Sequence, residues 1–156
     1  MFSTVTFLIL LIVVCPQTAT PECLNSTELN IARDDWFENR TSAQDAYGLI
    51  QDWEFCYKCS FSKLFQYQTS FNEDISGWDA GGVTNMAYMF DNATIFNNDL
   101  SGWNVTNVES MHKMFHEVTT FNQDLAAWDV SKVTNMSWMF DTATKLNKNL
   151  SGWDVG

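Results

Sequence analysis

The chain has 156 residues, of which 46% are apolar and 15% aromatic, too hydrophobic for a disordered polymer and long enough for one modest core. Its 19 acidic residues against 8 basic ones give a net charge of −11, spread over both halves of the sequence. Such a surface repels phosphate backbones, which excludes nucleic acid as a partner class.

Residues 5–15 read VTFLILLIVVC, an apolar run too short to span a bilayer and followed by Pro16 and small residues as far as Thr20. A cleaved signal peptide over residues 1–20 is expected. An uncleaved anchor is the alternative, because no Lys or Arg precedes the run and Pro21 follows the best cleavage point; unless the run is retained, no transmembrane span is expected. Export to an oxidising compartment favours disulfides, and cleavage leaves Cys23, Cys56 and Cys59. The expected bridge joins Cys23 to Cys56 or to Cys59, with Cys56 to Cys59 as the alternative, and one thiol is left over.

Residues 21–45 are expected to form a small N-terminal helical cap. Leu29, Ala32 and Trp36 mark one helical face, and Thr41 with Gln44 resembles a capping box.

From there the sequence repeats itself every 25 residues. Trp78, Trp103, Trp128 and Trp153 fall in one column, Phe71, Phe96, Phe121 and Leu146 in another, and Val83, Val108 and Val133 in a third. The same register stacks Met86, Met111 and Met136, then Met89–Phe90, Met114–Phe115 and Met139–Phe140. One step earlier, Ile50, Trp53 and Leu64–Phe65 fit the columns, so residues 46–70 read as a degenerate first repeat. Residues 71–156 then hold three full repeats and one truncated repeat.

Within a unit, Val83, Met86, Met89 and Phe90 fall at i, i+3, i+6 and i+7, the spacing of a short helix or 3₁₀ turn. The stretch FNEDISGW from Phe71 alternates apolar and polar side chains until Gly77, the pattern of a short strand. The expected fold class is therefore an α/β repeat solenoid, leucine-rich-repeat-like, with one short parallel strand and one short helix or 3₁₀ turn per 25-residue coil.

The pattern Phe-Asn-x-Asp-[Ile/Leu]-Ser-x-Trp-Asp-Val-x-x-Val-Thr-Asn-Met-x-x-Met-Phe resembles the BspA-type leucine-rich-repeat surface proteins. The Val-Thr-Asn-Met blocks at Val83 to Met86 and Val133 to Met136 carry the likeness most strongly. The lead-in ELNIARDDWFENRTSAQDAYGLIQDW is similar to the segment opening such arrays in secreted proteins of marine microalgae and other single-celled eukaryotes. The resemblance covers about residues 28–156. It implies a leucine-rich-repeat-like fold on secreted or cell-surface proteins, with protein binding or adhesion as their role and no catalytic residues. The chain departs from the pattern where Cys56-Tyr57-Lys58-Cys59 replaces the expected Val-Thr, and where the last unit stops at Gly156, halfway through a coil. That second departure implies an incomplete array, which is expected to self-associate through an uncapped C-terminal end.

His112 and His116 stand at i, i+4 and Cys56–Cys59 has zinc-like C-x-x-C spacing, but the register separates them by two coils, about 10 Å. A solvated face is the expected role of the histidines, and no metal site is assigned to them. Asp74, Asp99 and Asp124 form a column of carboxylates that a calcium ion would bridge; hydrogen bonding to turn amides, together with Asn72, Asn97 and Asn122, is the preferred reading. Six sequons occur, at Asn25, Asn39, Asn92, Asn104, Asn135 and Asn149, and all but Asn135, in a block expected to be packed, are glycosylation candidates.

With no Ser/His/Asp set and no phosphate-cradling glycine loop, no enzymatic activity is expected. The expected function is a secreted or cell-surface, non-catalytic module that binds a protein or glycan through Glu73, Asp74, Asn98, Asp99, Gln123 and Asp124. The alternative is a structural cell-wall or coat glycoprotein with no defined ligand.

Overall fold

The computed structural model describes residues 23–154. The segment expected to be a signal peptide, residues 1–20, lies outside them, as do residues 155 and 156.

Two helices open the described chain, α1 (Ser26–Glu38) and α2 (Arg40–Tyr47), followed by a 3₁₀ turn, Ile50–Asp52. Asn25 starts α1: its side chain accepts from the Thr27 and Glu28 amides, and Glu28 returns a bond to the Asn25 N–H at 2.9 Å. These contacts satisfy N–H groups that a helix start leaves without partners. Leu29, Ala32 and Trp36 are the buried face of α1. The expected capping box at Thr41 and Gln44 is not one, because Asn39 is the N-cap of α2 and Thr41 lies within the helix. The helices cover the first coil. Trp36 meets Trp53 edge-on at 5.8 Å, Phe37 meets Phe65 and Phe71 at 6.3 and 6.0 Å, and Arg33 donates to the Lys63 and Leu64 carbonyls.

Beyond Asp52 there is no helix and no sheet among the described residues, so the molecule is not an α/β repeat solenoid. Parallel pairing shrinks to single bridges, Ser60 to Asn85, Asn85 to Ser110 and Ser110 to Asn135, plus Leu24 to Phe55. What repeats every 25 residues is a coil of turns.

The half expected to be helical shows how this arises. The amides of Met86, Tyr88, Phe90 and Asn92 donate to the carbonyls of Ser110, His112, Met114 and His116 in the next coil at 2.8–2.9 Å. Phe61, Lys63, Phe65 and Tyr67 do the same one coil earlier, and Met111, Lys113, Phe115 and Glu117 one coil later. The intervening amides of Met89, Asp91 and Ala93 close tight turns onto Met86, Tyr88 and Phe90. Each coil adopts positive φ at two positions of this segment, 62° and 62° at Lys63 and Tyr67, 61° and 60° at Tyr88 and Asn92, 53° and 59° at Lys113 and Glu117. A right-handed helix cannot pass through such a residue. Every third or fourth side chain is still buried, which is why the spacing imitates a helix.

The expected strand of residues 71–78 has no backbone bond to the neighbouring coils. Side chains replace them. Asn72 Oδ1 accepts from the Asn97 amide, Asn97 from that of Asn122, and Asn122 from that of Asn147, each at 2.9 Å. The indole N–H groups of Trp78, Trp103, Trp128 and Trp153 donate to the carbonyls of Ile50, Ile75, Leu100 and Leu125, at 2.7–3.1 Å.

The core is a continuous stack of rings. Phe65 lies 3.8 Å from Phe71 and Phe90 lies 3.9 Å from Phe96 within coils, while Phe71 to Phe96 spans 5.8 Å and Phe90 to Phe115 5.5 Å between them. Each ring buries on the order of 150–250 Å², but only when an adjacent coil closes over it.

Candidate functional site

The positions singled out as ligand-binding fall into two structural classes. Glu73, Asn98 and Gln123 are half-buried and occupied: Glu73 takes a 2.5 Å salt bridge from Arg40, Asn98 Nδ2 donates to the Glu73 carbonyl at 2.7 Å, and Gln123 Nε2 donates to the Asn97 carbonyl at 2.8 Å. They join coils. Asp74, Asp99 and Asp124 are exposed, and each accepts from an amide two residues on, that of Ser76, Ser101 or Ala126, at 2.9–3.0 Å. The bond from the Ser101 amide, followed by that from its hydroxyl, holds the Asp99 carboxyl below its ordinary range, and Ser76 does the same for Asp74. No group of three or more His, Cys, Asp or Glu placed to hold a metal occurs among the described residues.

Cys23 is bridged to Cys56, and Cys59 is a buried free thiol whose Sγ lies 3.0 Å from the Leu24 carbonyl. The bridge ties the N-terminal arm to the first coil. Of the sequons, Asn104 and Asn149 are exposed, and their side-chain oxygens accept from the Thr106 and Ser151 amides. Asn25 and Asn39 are exposed too, but their side chains cap helices. Asn92 is half-buried and donates to Glu117, whereas Asn135, expected to be packed, is exposed.

The histidines are not a solvated face. His112 lies with Nε2 3.0 Å from the Tyr88 hydroxyl and Nδ1 2.6 Å from the Ser137 hydroxyl. His116 Nδ1 lies 2.7 Å from Asp91, the one buried polar residue among those described, which Gln66 also reaches at 2.7 Å. The far side of the His116 ring is 3.4 Å from Asp141, so Gln66, Asp91, His116 and Asp141 form one polar column across four coils.

A second column went unnoticed in the sequence. Lys63, Tyr88, Lys113 and Trp138 occupy one register position, all at positive φ, between 53° and 62°. The Lys63 ammonium lies 5.7 Å from the Tyr88 ring centre and that of Lys113 lies 5.7 Å from the Trp138 ring centre. Lys63 and Trp138 are exposed, Trp138 by 61%, and Tyr88 and Lys113 are half-buried. The signal was available as an alternation of cation and aromatic at a step of 25, set one residue ahead of the Met-Phe columns.

Comparison with known proteins places this repeat. The family described as "Mycoplasma protein of unknown function, DUF285" matches residues 34–155, which spans the end of α1, α2 and the coils. The chain belongs to the DUF285 family. No curated protein and no solved structure matches it. The part of α1 before residue 34, with the Asn25 cap and Cys23, precedes the matched stretch of this DUF285 member. No described helix is long and apolar enough to cross a membrane.

Proposed function

We propose that this chain is a secreted or cell-surface binding module, non-catalytic, that holds a protein or glycan, in the manner of the BspA-type surface proteins its repeat resembles. The supporting observation is the repetition itself. Each 25-residue coil presents side chains at the same register as the one before, so the surface offers an extended ligand a row of equivalent contacts. The titratable side chains most suited to catalysis, His112 and His116, are committed to neighbouring coils. The Cys23–Cys56 bridge supports passage through an oxidising compartment.

The test is a binding screen with the folded chain immobilised, against surface proteins and polysaccharides fractionated from the native environment. A saturable ligand is the expected result. Incorporation into an insoluble wall fraction without any saturable ligand would favour the structural glycoprotein instead.

A further inference from the structure

We propose that the column Lys63, Tyr88, Lys113, Trp138 is a binding strip for an acidic polysaccharide in which an anionic sugar alternates with a neutral one. The inference rests on the binding-module reading above and names its ligand class. Positive φ is strained for an L-residue, and the fold does not dictate which one bears it: the neighbouring column mixes Tyr67, Asn92, Glu117 and Thr142. The strip instead alternates lysine with a large aromatic, and its residues are exposed or half-buried, so core packing does not account for all four.

His112 packs edge-on against Tyr88 at 4.9 Å between ring centres, bonds its hydroxyl and reaches Ser137 beside Trp138, so the middle of the strip is held in place before any ligand arrives. The chain is strongly acidic, yet the carboxylates three and four residues beyond the strip positions are engaged: Asp91 by Gln66 and His116, Glu117 by Asn92, and Asp141 by His116. Asp91 is buried in the stack, Glu117 and Asp141 are held by partners on adjacent coils, and Lys63 and Lys113 carry their ammonium groups beside the rings of Tyr88 and Trp138.

The strip positions are joined coil to coil by amide-to-carbonyl bonds of 2.8–3.0 Å, so successive coils rise by the distance between paired strands, about 4.8 Å, which sets the two lysines about 10 Å apart with an aromatic ring between them and another beyond. The length of one pyranose unit in an extended chain is close to that step, so the polymer advances by one sugar per coil. A carboxylate or sulfate on every second sugar meets a lysine, and the apolar face of each intervening neutral sugar meets Tyr88 or Trp138. An acidic peptide uses the lysines and leaves the rings idle. A neutral glycan does the reverse.

Calorimetric titration of the folded chain tests this, with chondroitin oligosaccharides as the alternating acidic polymer, a mannan as the neutral one and polyglutamate as the acidic peptide. Chondroitin is expected to bind with an affinity that falls as salt rises. The double variant Lys63→Gln, Lys113→Gln is expected to bind about tenfold more weakly and to lose most of that salt dependence. Trp138→Asn, which keeps a residue tolerant of positive φ, is expected to lose about tenfold as well, with an unchanged melting temperature confirming the fold. Undiminished binding by these variants, equal binding of mannan, equal binding of polyglutamate or no binding of chondroitin would each overturn the strip. If the chain then holds another saturable ligand that the variants do not affect, the strip falls and the binding-module reading stands; if it holds none, both fall.

Discussion

Trp103 fills its column with 3% exposure and also donates from its indole N–H to the Ile75 carbonyl at 3.1 Å, a task that Phe at this position cannot perform. Trp103→Phe keeps most of the buried area and removes one of two bonds to the Ile75 carbonyl, which still accepts from the Trp78 amide at 3.1 Å, and is expected to cost about 0.5–1.5 kcal/mol. Trp103→Ala also opens a cavity, and about 3–5 kcal/mol is expected. Denaturant titration of the two variants checks both the size and the order of these losses. At the surface, Asp99 and Asp74 carry a pH dependence. Their folded-state carboxyls are depressed by hydrogen bonds from Ser101 and Ser76, so the stability they contribute is present above the unfolded aspartate pKa, about 3.9, and is lost as pH falls through the lower folded value. Melting temperature is expected to decline below about pH 4. Asp99→Asn should flatten that decline without loss of the turn, because Asn149, in the same register, accepts from Ser151 in the same way at 3.0 Å.

At the scale of the element, left-handed residues distinguish this coil from a helix. Tyr88→Val places a β-branched side chain at φ 61°, and a loss of at least about 1–2 kcal/mol relative to Tyr88→Asn is expected in thermal or chemical unfolding. In α1, Asn25→Ala removes the acceptor for the Thr27 and Glu28 amides, with an expected cost of about 1 kcal/mol. The burial columns were legible in the sequence because Phe, Trp, Met and Val recur at fixed positions, and so was the α1 face of Leu29, Ala32 and Trp36. The elements were not. A coil of overlapping turns buries side chains at i, i+3 and i+7 as a helix does, and Tyr, Lys and Trp are not residues that announce positive φ. The alternation from Phe71 to Ile75 was real as burial, yet asparagine and tryptophan side chains make the bonds that a strand would make through its backbone. For the candidate site, Glu73, Asn98 and Gln123 varied between repeats and so resembled ligand contacts. Each is matched to a different local bond, which one sequence does not reveal.

Across the whole molecule, stability is a sum over interfaces between successive coils, with α1 and α2 covering the first of them. The Cys23–Cys56 bridge closes a separation of 33 residues around that cover, and its removal by Cys23→Ser with Cys56→Ser is expected to cost about 2–5 kcal/mol, measured by denaturant titration. The polar column of Gln66, Asp91, His116 and Asp141 and the ring stack from Phe65 to Phe140 run along the same axis, so a register slip of one residue between coils would break both. All of these features depend on alternate amides crossing from each coil to the next. Scalar couplings across hydrogen bonds, measured by NMR on isotopically labelled protein, test that ladder most directly. The amide nitrogens of Met86, Tyr88, Phe90 and Asn92 should couple to the carbonyl carbons of Ser110, His112, Met114 and His116, and couplings from those amides to carbonyls four residues upstream, the signature of a helix, would contradict it.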